Sequence, residues 1–170
     1  KYAAWYYTSK GGFYWAGAYV CDRFALVPTD DGEAGYLTGH SRILSFNPHT
    51  GALLDELTLP DTGDARSSIT FIPEAANSAA GTAYFTTKGG YFYSLTVDAD
   101  GKLGKLRSVR LSNGGDDPTK PAMSTCTPTI YNGRAYVGVS GTSQFGPYSG
   151  HNLTVIDLAA MAVTYSVPTQ

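Results

Sequence analysis

The feature that most constrains this chain is a unit that occurs three times. In its cleanest copy, residues 124–169, four short runs rich in β-branched and aromatic residues alternate with turn signals. The first run ends at Tyr131 and is followed by Asn132-Gly133, the strongest short-range hairpin signal a sequence carries. The second run covers 134–140, a loop leads to His151, the third covers 152–158, and Ala159-Ala160-Met161 breaks the chain before the fourth. Short turns join antiparallel neighbours, whereas parallel neighbours need long crossovers. Each unit therefore reads as a four-stranded antiparallel meander.

The other two copies follow the same plan. Strands are expected at 13–21, 23–29, 42–47 and 52–59, then at 66–73, 82–88, 91–98 and 103–111. The segments Ala16-Gly17-Ala18-Tyr19-Val20, Ser67-Ser68-Ile69-Thr70-Phe71 and Cys126-Thr127-Pro128-Thr129-Ile130 align. Each begins with two small residues and then turns apolar, as an innermost strand crowded by its neighbours requires. The third strands, Ile43-Leu44-Ser45-Phe46, Phe92-Tyr93-Ser94-Leu95 and Leu153-Thr154-Val155-Ile156, are apolar on both faces or nearly so. Loss of in–out alternation marks a strand covered on both sides, and sheets stacked face to face supply that cover. A meander recurring at roughly 50 residues is the signature of a β-propeller blade. The expected fold is all-β: a partial propeller with 1–12 as the outer strand of a preceding blade, then blades at 13–60, 61–112 and 113–170. No stretch is long enough for a stable helix.

Composition narrows the function classes. Only 15 % of residues are charged, the net charge is −2, and 13 of the residues are Tyr. No basic face is available to neutralise phosphates, which argues against nucleic acid. No apolar run approaches the ~20 residues that span a bilayer. A chain opening on Lys1 is read as a piece of a longer protein, so the expected partners include the remaining blades of that parent or a second copy. Cys21 and Cys126 fall at opposite ends of innermost strands in non-adjacent units. A disulfide needs Cα atoms within about 7 Å, so two free, largely buried thiols are expected.

The turn Asn47-Pro48-His49-Thr50-Gly51 after the third strand, and the segment Lys1-Tyr2-Ala3-Ala4-Trp5, resemble the pyrroloquinoline-quinone-type propeller repeat. That repeat ends its third strand in a Thr-Gly turn and carries a docking Trp on its fourth. Leu54 stands near the expected Trp of the first unit, and the later units lack both features. Residues 86–91, 132–141 and 14–18 are similar to segments of large cell-surface proteins of Gram-positive anaerobic bacteria. The resemblance implies an extracellular or cell-surface location. For enzymes of the repeat family it implies the quinone with a calcium ion, the alternative being a quinone-dependent oxidoreductase. No Cys-Cys pair and no Asp in the aligned first strands support that alternative, so no cofactor and no catalytic residue is expected.

Asp98-Ala99-Asp100-Gly101 opens like a calcium loop but continues with Lys102, lacking the further oxygen ligands and closing Glu that calcium needs. A plain turn is expected there. Asp30, Asp31 and Glu33 form an acidic loop, read as solvated. His40 and His151 precede the third strands of their units, and no third zinc ligand is spaced to join them. Function on a rigid scaffold concentrates in loops. The expected binding face is therefore the end carrying the inter-blade connections and the loops between second and third strands. It holds Phe13, Tyr14, Trp15, Tyr36, His40, Asp61, Asp64, Arg66, Lys88, Phe145, Tyr148 and His151. Aromatics beside Asp and Arg suit carbohydrate or protein partners, and the expected role is a non-catalytic binding or scaffolding module.

Overall fold

Three four-stranded sheets account for all regular secondary structure among the described residues. The computed structural model describes residues 4–9, 12, 16–30, 39–111, 122–141 and 151–169, with His151 described by its backbone alone. The first sheet orders β1 (Tyr19–Val20), β2 (Ala25–Pro28), β3 (Arg42–Phe46) and β4 (Leu53–Thr58). The second orders β5 (Thr70–Pro73), β6 (Gly81–Thr86), β7 (Tyr91–Val97) and β8 (Leu103–Arg110). The third orders β9 (Thr129–Tyr131), β10 (Arg134–Ser140), β11 (His151–Asp157) and β12 (Ala162–Pro168). Every pairing is antiparallel between sequence neighbours, so each sheet is a meander. The architecture is a partial β-propeller.

The innermost strands are shorter than the sequence suggests, because side chains take over part of the ladder. Ser67 Oγ accepts the Thr86 amide at 2.7 Å, and Ser68 Oγ accepts the Gly17 amide of the blade before it at 2.8 Å. Pro128 has no amide to donate; its carbonyl accepts Thr70 Oγ1 of the second blade. The small residues at these starts are a steric need: a Cβ on Gly17 would lie 2.9 Å from Ser68 Oγ.

Two apolar cores lie between the sheets. The first joins Phe24, Leu26, Ile43 and Leu59 of the first blade to Ala83, Phe85, Tyr93 and Leu95 of the second. The second joins Phe92, Val109 and Leu111 to Ala135, Val137, Val139 and Ile156. Residues of β7 alternate between these two cores, and those of β3 between the first core (Ile43) and the cover that Trp5 and Tyr7 place on Phe46, which is why their sequences lose alternation. Tyr93 and Leu95 face back to the first blade, Phe92 forward to the third. Burying such side chains is worth about 1.5–3 kcal/mol each, which is the main force holding blade to blade.

At the opposite end from the site described below, each hairpin between third and fourth strands leans on the outer strand of the preceding unit. Trp5 Nε1 donates to the Pro48 carbonyl at 3.0 Å, and Trp5 and Tyr7 pack on Phe46. The hairpin turn 98–101 packs the same way: Leu103 N donates to Asp55 Oδ2 at 2.9 Å, and Gly101 sits against Leu54, Phe24 and Ser45. Asp98 is a turn-former, accepting the amides of Asp100 and Lys102. In the third blade, Arg107 donates to the carbonyls of Leu158 and Ala159. The turns of the later units thus reproduce the docking without Thr-Gly or Trp. Gly51 (φ 73°), Gly101 (φ 81°) and Met161 (φ 52°) supply the left-handed residue in each.

Gly51→Ala is expected to cost at least about 1–2 kcal/mol from the left-handed backbone alone. A Cβ there would also stand 2.5 Å from the Trp5 ring. Urea unfolding followed by Trp fluorescence checks this, with a blue-shift lost from the native spectrum as Trp5 is pushed off its seat.

Candidate functional site

Four ionisable side chains converge where the first two blades meet, at the end of the sheets that carries the inter-blade connection. Asp30 follows β2 and is held by paired backbone hydrogen bonds with Gly12. Asp64 and Arg66 lie on the connection from β4 to β5, and Lys88 follows β6 with its amide donating to the Asp64 carbonyl at 2.9 Å. Arg66 reaches back across the junction. Its Nε donates to Asp30 Oδ2 at 3.0 Å, and its Nη2 lies 2.7 Å from that oxygen and 2.8 Å from Asp64 Oδ2.

Burial makes this cluster electrostatically demanding. Asp64 is 0 % exposed, Lys88 is buried, and the Arg66 side chain retains 12 % of its surface. The contact from Arg66 to Asp64 is an ion pair by distance but lacks hydrogen-bond geometry, and neither Asp64 oxygen has a hydrogen-bond donor among the described residues. The Asp30 carboxyl lies within reach of Asp64, a contact that becomes a hydrogen bond when one of the two carries a proton. Burial first, then the bond to Asp30 and its charge, push the Asp64 carboxyl up to about 7, against the opposing pull of Arg66 and Lys88. The Lys88 ammonium is pushed down, by burial first and then by Arg66, with the two carboxyls opposing. Like charges side by side and burial both disfavour ionisation, which moves the Asp64 carboxyl up and the Lys88 ammonium down.

Beside the cluster, Asp61 ties the same connection to the second blade. It accepts Tyr93 Oη at 2.5 Å and Thr87 Oγ1 at 2.7 Å. Tyr93 is fully buried, and burial followed by the bond to Asp61 raises its phenol's pKa. His40 Nδ1 stands 2.9 Å from the Leu59 carbonyl, and its backbone bridges to Gly63. These bonds fix residues 59–66 as a rigid rim.

Of the residues expected at a binding face, the structure brings Asp61, Asp64, Arg66, Lys88 and His40 to one end. It buries Asp64 and Lys88, which were expected on open loops, because Asp64 has Arg66 and Lys88 beside it and Lys88 has the carboxyls of Asp64 and, across the junction, Asp30. Asp30 was read as part of a solvated acidic loop and instead is Arg66's partner. Its place at the end of β2, equivalent to Lys88 at the end of β6, was the available signal. Phe13, Tyr14, Trp15, Tyr36, Phe145 and Tyr148 lie outside the described residues, as do Asp31 and Glu33. His151 opens β11 by backbone pairing with Ser140.

Both thiols are free. Cys21 is half-buried against the first core, but Cys126, expected to be buried, is exposed. Its Sγ lies beside Gly138 on the face of the third blade that no sheet covers among the described residues.

A quinone with its calcium ion finds no matching donor set among the described residues. The cations of the cluster already face Asp30 and Asp64, and no three His, Cys, Asp or Glu side chains converge as metal ligands there.

No family model and no curated protein matches the sequence. Among solved structures, a "Europium-containing methanol dehydrogenase" matches with a TM-score of 0.55 at 16 % identity, over 91 % of this chain. The match spans 24 % of that enzyme's chain. At this identity the likeness carries the fold, a β-propeller, and leaves the activity to be argued from the site.

Proposed function

We propose that this chain is part of a non-catalytic β-propeller module of the bacterial cell surface, binding a glycan or a protein at the loop end of its first two blades. The observation that carries this reading is the Asp30–Asp64–Arg66–Lys88 cluster. The carboxyl with the raised proton affinity is fully buried, so it cannot touch a substrate as a general base would. What the cluster does is hold the connections still. A loop platform edged by exposed His40, half-buried Asp61 and the outer edge of Arg66 suits recognition of hydroxyl or peptide groups. The low charge and high Tyr content support an extracellular setting.

The test is an NMR titration with two probes: a mixture of neutral and acidic oligosaccharides, and pyrroloquinoline quinone with calcium. The expected result is amide shifts confined to 39–41, 59–66 and 87–90 with the oligosaccharides and none with the quinone. Saturable quinone binding at those amides, with its absorbance shifted, would overturn the reading in favour of a quinone-dependent oxidoreductase.

A further inference from the structure

Register makes the three blades comparable residue by residue. Leu26, Tyr84 and Tyr136 are equivalent, as each pairs with the third-strand residue that in turn pairs with Asp55, Arg107 or Tyr165. The cross-strand pairs Ile43–Leu57, Phe92–Val109 and Leu153–Val167 are likewise equivalent. In the first blade this face is sealed by the second, and in the second blade it is sealed by the third. In the third blade the same pair lies open: Leu153 is 40 % and Val167 is 46 % exposed, and Tyr165, paired with Val155 next along the same face, is 47 % exposed. Contiguous apolar surface on one sheet face marks an interaction site.

The residue two positions before that pair on the outer strand has a second duty. Asp55 accepts an amide of the next blade's hairpin, and Arg107 donates to two carbonyls of the hairpin after it. Tyr165 occupies the third such position, and its phenol can either donate or accept. We propose that this face is a docking surface for one more four-stranded blade of the same repeat, lying outside residues 1–170, whose hairpin turn Tyr165 latches.

A second copy of this chain does not offer a match. The hairpin turn of its first blade is already capped by its own Trp5, with Trp5 and Tyr7 on Phe46 and Ser9 on Arg42. The incoming faces of its second and third blades are buried in the two cores.

The test repeats residues 113–170 after Gln170, the added copy carrying Tyr165→Phe so that one Tyr165 reports. Nitration of that tyrosine by tetranitromethane, mapped by mass spectrometry, is compared with the 170-residue chain. The expected result is at least about tenfold slower nitration in the extended chain, as a covered face requires. Leu153→Asp should restore the rate. Because Leu153 is exposed, that substitution should leave the thermal transition of the 170-residue chain in place, separating loss of docking from loss of folding. Equal nitration rates with and without the added blade would overturn the proposal. So would light scattering that shows the 170-residue chain as a dimer that Tyr165→Glu dissociates, since the occupant would then be a second copy.

Discussion

Arg66→Met is expected to lower the free energy of unfolding by about 3–5 kcal/mol near pH 8, the cost of leaving buried charge uncompensated. The guanidinium is the group that contacts both Asp30 and Asp64. Without it, two carboxyls within reach of one another keep Lys88 as the remaining cation of the cluster. The loss should shrink toward pH 5, because protonating Asp64, whose carboxyl is pushed up to about 7, removes one of the charges that Arg66 compensates. The sign in the parent chain runs the same way. Asp64 holds its proton up to about 7 when folded against an ordinary value of 3.8. Between those values the folded state binds more protons than the unfolded state, so stability falls as pH rises through that window. Removing Arg66 extends the fall to higher pH. Arg66→Lys keeps a charge but loses the planar fork that reaches two carboxylates, and should fall between the two. Urea unfolding at pH 5 and pH 8 checks all three chains. An equal loss at both pH values would mean that Arg66 acts by packing and that the charges of the cluster are not coupled.

That cluster also shows what a single sequence reveals and what it hides. The meanders were legible because hairpin chemistry is local: Asn132-Gly133 does form the turn from β9 to β10, with Asn132 at φ 47°. The double-sided burial of β3 and β7 was legible from their apolar runs. The inner strands were over-extended because Ser67 and Ser68 read as strand residues, whereas their hydroxyls substitute for ladder bonds. The docking of the later hairpins was hidden because Trp5, Leu54 and Arg107 do one job with three chemistries. Asp30 and Lys88 were hidden from one another for a different reason. They are partners only after the second strands of two blades are superposed and the blades stacked, a relation that no local pattern encodes. Cys126 was misjudged because its burial depends on a neighbouring blade, and the sheet face on which it lies has none among the described residues.

Phe24→Ala is expected to remove about 3–5 kcal/mol of stability and, for a chain of this length, to lower the midpoint of thermal unfolding by on the order of 10 °C. Phe24 is 0 % exposed and belongs to the first blade, yet it packs in a core shared with the second. Its ring meets Phe71 edge-on at 5.8 Å, Tyr19 closes one side at 6.1 Å, and the backbone of Gly101 lies against its Cβ. Truncation leaves a benzyl-sized void between two sheets. Collapse into it is opposed because the hairpin holding Gly101 is fixed by Leu103 to Asp55 and by Lys102 to the Leu54 carbonyl. The exposed Arg23–Asp100 pair on the same hairpin adds little, as surface ion pairs do. Asp100→Ala should therefore cost less than about 1 kcal/mol, which makes it the control for damage to the hairpin itself. Calorimetry adds a second readout. If the blades share one cooperative core, the variant melts in a single, lowered transition. If the first blade separates, two transitions appear, as expected of repeats whose stability is a sum of units and nearest-neighbour interfaces. A loss below about 1 kcal/mol would contradict the shared core, and with it the view that each blade is held mainly by the apolar face of the next.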